Sequence, residues 1–387
     1  MAYRLRTLAP VHIHSGDILK PMEYIVKDEE VLIFDEIDVI GSIKENELLN
    51  KELLNTYAFS SKRSEYYKNL DYYINKGIID KSIENKYKVK ANNKVGKLDG
   101  KDIHRTMRNI KGPYIPGSTI KGVIRTAILY DYILHKDIGY IEDALNFIEK
   151  NSINRSGKKI AKYDIEDYII YFTNTKEYNR KNIQGDPFKF IITRDVNFIY
   201  NKVEIYQQSI FNPSGKTPIP GNIIECVEKG DYTEEFYFSI EAKEEQTKGL
   251  KSEIDYNDEL LSYFDKNKLL RALYKFSRDI LNDEIEYFKK LKNHLFNSKE
   301  IIEALEDISN KNSEKSPVLR IGRHKGYKSN TLALAIKKLD KEFYNNNIRK
   351  IANVKHGSKY EFPKTRNFVG NSIAPKLLGF TILEKVD

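Results

Sequence analysis

Tryptophan is absent from the 387 residues, cysteine occurs once, at Cys226, and methionine three times. A lone cysteine excludes an internal disulfide and any Cys-rich zinc or iron-sulfur centre, and it fits a reducing cytosol. No metal or other cofactor is implied. Long apolar runs are missing as well. No stretch approaches the roughly 18 residues of a membrane span, and the opening "MAYRLRTLAPVHIHSG" has charges where a signal peptide needs an apolar segment. A soluble, intracellular chain without a membrane partner is expected.

What the chain does have is tyrosine and charge. Twenty-seven tyrosines supply rings that fill a core or stack on bases while the hydroxyl stays wet. Lysine and arginine number 65 against 56 acidic residues, a formal net charge of +9. That excess suits an anionic partner, and equally a chain kept soluble by lysine. The length suggests about two domains.

Hydrophobic periodicity predicts strands at 3–8, two more in "MEYIVKDEEVLIFDEIDVI" around the turn Lys27–Glu30, and others at 188–196, in "KVEIYQQSIF", at 221–241 around Gly230 and Asp231, and at 379–386. Helical spacing marks the segment after Ser118 and residues 258–308, while 44–110 and 136–184 read as polar, largely helical insertions with basic loops at "NRSGKK" and "YNRKNIQGD". Strands interrupted by single helices, in two rounds, favour an α+β fold over a doubly wound parallel sheet. The expected division is residues 1–215 and 216–387.

The stretch "YIPGSTIKGVIRTAIL" (114–129) carries the first candidate site. A helix beginning near Ser118 sets Ser118, Lys121, Gly122 and Arg125 on one face, and Ile120, Ile124, Ala127 and Ile128 toward a core. The free amides of a helix start attract an anion, and Gly122 lets a backbone approach closely. Val123 and Ile124 follow Gly122 where a nucleotide-hydrolysing loop needs Lys then Ser or Thr, so this is not a Walker motif. The other reading is a plain turn and cap with solvated Lys121 and Arg125. A second unit, "LRIGRHKGYKSNT", repeats the logic: Gly322 and Gly326 bracket Arg323, His324 and Lys325, with Ser329 or Asn330 as the following cap. Lys364 and Arg366 in "FPKTRNFVG" share one side if extended, as binding residues or as edge-strand charges. His12 and His14 in "VHIHSGD" lack a third metal ligand and read as a packed or RNA-contacting pair.

Taken in order, "LAPVHIHSGD", "YIPGSTIKGVIRTAIL", "GDPFKFIITRDV", "LRIGRHKGYKSNT" and "FPKTRNFVG" resemble the RAMP superfamily of CRISPR-associated proteins, in the branch of the fifth Csm subunits of type III-A effector complexes. The sequence departs from that pattern at His14, more often Gly, and at Arg323 and His324, where the loop is usually less bulky. The resemblance implies two ferredoxin-like domains of the RNA-recognition-motif type and a non-catalytic role: holding the 3′ part of the guide RNA (crRNA), capping the filament of repeated backbone subunits, and supporting guide maturation. It implies other Csm subunits as partners and no small-molecule substrate. Ser15 and Gly16 would lie near the exit of the first strand. Gly117, Ser118, Lys121, Gly122 and Arg125 would face RNA or a neighbouring subunit, as would Gly322, Arg323, Lys325, Gly326, Lys364 and Arg366.

Rival readings are a metal-independent endoribonuclease, with His104 as base beside Arg105 and Arg108, and a metal nuclease using Asp99 and Asp102. Neither has a visible partner set in the sequence: His104 lacks a second acid, and the aspartates lack a third ligand. A third is a single-strand RNA protein outside any such complex.

Overall fold

In β1 (Ala2–Thr7) every second residue, Tyr3, Leu5 and Thr7, is buried, the period of a strand with one face on a core. The computed structural model describes residues 2–58, 68–92, 98, 100–155, 158–172, 185–213, 218–240, 257–291, 297–348, 361–370 and 374–386. Beyond β1, β2 (His14–Leu19) leads to the hairpin β3 (Tyr24–Lys27) and β4 (Glu30–Ile33). Helices α1 (Glu36–Gly41), α2 (Lys51–Ala58) and α3 (Leu70–Asn75) follow, then β5 (Tyr87–Ala91), β6 (Ile103–Thr106) and the hairpin β7 (Arg108–Asn109) and β8 (Gly112–Ile115). The long α4 (Gly117–Leu134) and α5 (Ile138–Lys150) precede the hairpin β9 (Ser152–Arg155) and β10 (Lys158–Ala161). Short β11 (Ile191–Ile192) and β12 (Val196–Asn197) lead to the long strands β13 (Val203–Phe211) and β14 (Ile219–Val227), with β15 (Ser239–Ile240) after them. The remainder holds α6 (Lys266–Lys290), α7 (Ser298–Lys311), β16 (Val318–Arg320), α8 (Ala333–Leu339), β17 (Arg366–Val369) and β18 (Phe380–Val386).

The fold is α+β, built on two main sheets of the ferredoxin-like kind. The smaller runs β1-β18-β16, antiparallel, with Leu5 opposite Leu383 and Thr7 opposite Thr381. One face of it packs Tyr3, Leu5, Leu319 and Leu383 against α4, the first half of α6 and α8. The other packs Val318, Phe380 and Ile382 against Ile301 and Leu305 of α7 and Phe288 at the end of α6. The larger sheet runs β2-β6-β14-β13-β5-β4-β3, with β17 also on β13. Pairing of β13 with β14 spans the boundary expected near residue 215, and β1 with β18 joins the two ends. The strands at 2–7, 203–211 and 380–386 and the helices within 258–308 lie where periodicity places them.

Four segments differ from expectation, two for local reasons and two through distant pairing. The tail of the expected second strand, 35–41, is helical because the Asp35 side chain accepts the Ile37 amide and Glu36 and Asp38 suit a helix start. Residues 188–196 form a 3-10 turn at Pro187–Phe190, capped by Asp186, and then only the short strands β11 and β12, since Asp-Pro favours turn initiation. The segment after Gly230 does not fold back on β14; it runs along β1, with Tyr3 opposite Phe236 and Arg6 opposite Tyr232. Within the expected insertion 44–110 lie strands of the main sheet, β5 and β6. Most of "YNRKNIQGD", Asp99 and part of "NRSGKK" fall outside the described residues.

One buried ion pair closes the second core. Arg366, 5% exposed, presents Nε to both oxygens of Glu284 at 2.9 and 2.7 Å and lies 3.9 Å over the Tyr287 ring. Removing one partner leaves the other charge buried. Glu284→Ala is therefore expected to cost about 3–5 kcal/mol in urea unfolding, and Glu284→Leu with Arg366→Met to recover most of it; equal losses in both variants would contradict this account.

Candidate nucleic-acid interface

Burial along α4 follows the predicted faces: Ile120, Val123, Ile124, Ala127 and Ile128 are buried, Ser118 and Gly122 exposed, Lys121 and Arg125 half-buried. The helix entrance, however, is not free. The Gly117 amide donates to Asp195 Oδ1 at 2.8 Å, Thr193 Oγ1 donates to the Gly117 carbonyl at 2.7 Å, and a Cβ on Gly117 would sit 2.8 Å from the Thr193 carbonyl oxygen. A carboxylate from the β11–β12 loop thus satisfies the helix end that an external phosphate would need. Gly117 serves packing and is corrected from the interface. Arg125 ion-pairs with Glu166 at 3.2 Å and Asp186 at 3.1 Å; against the effect of burial, Asp186 and Glu166 raise its pKa. Its charge is compensated within the fold. Lys121 keeps a half-exposed ammonium on the same face.

The Gly-rich loop sits differently. Gly322 has φ +81°, and its amide neighbour Arg323 donates to the His12 carbonyl at 2.8 Å; a Cβ on Gly322 would lie 2.4 Å from that oxygen. Only glycine fits there. Gly322 is therefore a packing residue, not an approach point for phosphate. The loop's flanks are pinned inside. Arg320 is buried, 4.7 Å over the Phe380 ring, with Nη1 donating to Ser329 Oγ at 3.4 Å. Lys328, 4% exposed, is shared by Asp283 and Glu361, which also hold Lys337. Burial opposes ionisation of Glu361, but Lys328 and Lys337 hold its pKa down to about 2. Ser329 and Asn330 do not cap α8, which starts at Ala333; Asn330 Nδ2 donates back to the Gly326 carbonyl at 3.1 Å.

Between these anchors, Arg323 is exposed and Lys325 half-buried, neither with a carboxylate partner among the described residues, and the Lys325 pKa is lowered to about 8 by burial and then by Arg320. Gly326 (φ +90°) has open space around it, as does Gly16 (φ +96°) in β2. Ser15 Oγ donates to the Arg105 carbonyl at 3.2 Å, tying the first loop to β6. Residues 11–16, 104–106 and 322–326 thus meet in one place, while 117–125 is tied to 166–195. Of the pair near the C-terminus, Lys364 is exposed and Arg366 is buried against Glu284, so Arg366 is also corrected to a structural role.

The sequence pairs His12 with His14 and leaves His104 and His324 apart; the fold gathers all four. Ring centroids of His12 and His14 lie 5.7 Å apart, His12 and His324 6.1 Å, and His14 and His104 5.4 Å. His12 Nδ1 donates to the Glu225 carbonyl at 2.8 Å, so its Nε2 carries a lone pair, and that buried atom has no partner. Gln208 Nε2 donates to His324 Nδ1 at 3.1 Å. Burial, chiefly, lowers the pKa of His12 to about 3 and, with Arg323, that of His324 to about 4; burial also lowers His14 and His104. The Glu225 carboxylate, itself raised by burial, receives Arg108 at 2.8 Å and the Thr106 amide at 3.0 Å. Arg108 lies 4.5 Å over the Tyr87 ring, whose hydroxyl accepts from Arg105 Nη2. Asp102 pairs with Lys20 at 2.9 Å, and among the described residues no group of three or more His, Cys, Asp or Glu is arranged to hold a metal ion. A cleft of about 370 Å³ beside Arg105 is lined by four carboxylates, Asp17, Glu23, Asp35 and Glu36, against Arg105 and Lys86, an acidic excess that disfavours phosphate.

The family model described as the RAMP superfamily matches residues 4–374, and the chain belongs to that superfamily. Comparison with curated protein sequences gives no match. Among solved structures, one chain of a cryo-EM structure of a Csm–crRNA–target RNA ternary complex of the type III-A CRISPR-Cas system is similar at TM-score 0.71 and 21% identity, over 99% of this chain and 100% of that one. The crystal structure of T. onnurineus Csm5 is similar at TM-score 0.64 and 19% identity, over 98% and 99%. At these identities the likeness is one of fold. No described helix is long and apolar enough to cross a membrane.

His12 also sets a pH dependence. The unfolded chain protonates this histidine near its ordinary 6.5, whereas the folded one refuses the proton until about 3. Its contribution to stability is complete above pH 6.5 and is lost progressively as pH falls toward 3, by about 1.4 kcal/mol per pH unit. Melting temperature should decline between about pH 6.5 and 5, above the carboxylate range, and less steeply in His12→Asn; identical profiles would contradict the assignment.

Proposed function

We propose that this chain is the RNA-holding end subunit of a type III-A CRISPR effector complex, of the Csm5 kind, located in the cytoplasm. It grips the 3′ part of the guide RNA, caps the filament of repeated backbone subunits and supports guide maturation without chemistry of its own. The observation that carries this reading is the loop charge of exposed Arg323 and half-buried Lys325, neither paired with a carboxylate among the described residues, on a loop whose flanks are locked into the core. The end-to-end likeness of fold to a chain of a Csm–crRNA–target RNA complex supports it. A guide whose sequence varies must be held by its backbone, and lysine, arginine and free loop amides suit that task better than base readout. Lys121, Ser118, Gly122, Ser15, Gly16, Gly326 and Lys364 remain candidates for RNA or neighbour contacts.

Binding of unrelated single-stranded RNAs should weaken in Lys121→Ala and Lys325→Ala, and each change should reduce the salt slope by about one. Arg125→Ala should leave the slope unchanged, since Glu166 and Asp186 already neutralise that charge. A fluorescence anisotropy salt series decides it: unaltered slopes in both lysine variants would mean that these loops face protein.

One observation favours the rival reading of a guide-cleaving ribonuclease. His104, which lacked a visible partner in sequence, has His14 at 5.4 Å between ring centroids, with Arg105 on the same strand. Under our reading His104→Ala leaves guide lengths unchanged in a reconstituted complex; accumulation of unprocessed guide would establish the nuclease instead.

A further inference from the structure

We propose that His14, His104 and His324, together with Arg323, form a proton-linked site for an RNA backbone phosphate, which binds with uptake of a proton from solution. The inference rests on the RNA-binding reading and names the site within it. Histidines from three distant segments, the start of β2, β6 and the Gly-rich loop, are brought to neighbouring positions around His12. His12 is 1% exposed and fixed by Glu225, and it forms the floor; His14, His104 and His324 are each partly exposed.

The cluster is short of negative charge. The charged groups acting on it are Asp17 from β2, Lys20 just after β2, Asp102 just before β6 and Arg323 from the loop, with Glu225 of β14 reaching His12 through its carbonyl. Asp102 is taken by Lys20 and Glu225 by Arg108, which among the described residues leaves the exposed Asp17 against Arg323. Buried nitrogens of all four rings, His12 Nε2, His14 Nδ1, His104 Nδ1 and His324 Nε2, lack hydrogen-bond partners. Burial and Arg323 keep the free cluster neutral at pH 7. A phosphate beside Arg323 reverses that Coulombic balance, so an imidazole gains a proton and a charge-assisted hydrogen bond as the anion arrives. His324 already holds a left-handed backbone, φ +67°, which a β-carbon residue adopts only when its surroundings require it.

The test uses the full chain and a short, fluorescently labelled single-stranded RNA. Affinity should rise about three- to tenfold per pH unit on going from about pH 7.5 to 5.5, the range for one linked proton. In His14→Gln/His104→Gln the dependence of affinity on pH should flatten over the same range. Calorimetry in two buffers of different ionisation enthalpy should report proton uptake by the unaltered chain, a readout that needs no variant. A flat pH profile, no proton uptake, or a double variant with the full slope overturns the inference. Salt-dependent binding that survives such a result leaves the proposed function standing, whereas absence of any RNA binding removes both.

Discussion

The main-chain carbonyl of His12 receives the Arg323 amide at 2.8 Å and lies directly against Gly322. That contact joins a loop near the start of the sequence to one more than three hundred residues later, and it fixes what each can present. Because Gly322 has no Cβ, the loop comes close enough for His324 to stack beside His12, and Arg323 is turned outward. Gly379 repeats the device one strand away: φ is +82°, and a Cβ would meet the Ile321 carbonyl at 2.3 Å. The candidate interface is therefore a property of chain packing first and of charge second.

Net charge alone is a poor map of such a surface. Many of the basic residues that look most like phosphate ligands are spent on carboxylates inside the fold: Arg125 on Glu166 and Asp186, Arg366 on Glu284, Lys328 and Lys337 on Asp283 and Glu361, Arg108 on Glu225. Of the candidate ligands, Lys121, Arg323, Lys325 and Lys364 have no carboxylate partner among the described residues. An internal pair holds its geometry because breaking it strands a charge in low dielectric. A solvent-facing lysine, in contrast, is free to meet whatever anion arrives.

Local signals were legible where local physics decides. The alternation in β1 and the three-and-four spacing of Leu269, Leu270, Leu273, Phe276 and Ile280 in α6 are visible in the residues themselves, and so is the split of α4 into a core face and a polar face. Non-local partners were not legible. Nothing near Gly117 announces that Asp195 will cap it, and Lys364 and Arg366 look alike in sequence although one is exposed and the other buried. The histidine cluster is the sharpest case. "VHIHSGD" carries two histidines and "IHRT" and "GRHKG" one each, and the pairing of β2 with β6 and the seating of Gly322 bring the four together. Family resemblance supplied the fold and the class of partner, which composition had left open between an anionic ligand and simple solubility.

The pairing of β1 with β18 has a temporal side. One edge of β1 meets residues 232–236, while the other is completed only by residues 381–386. At ribosomal speeds of about 5–20 residues per second, the first strand waits roughly 20 s or longer for its final neighbour. During that interval Tyr3 and Leu5 belong to an open sheet edge, so the nascent chain is exposed to mispairing for most of its synthesis.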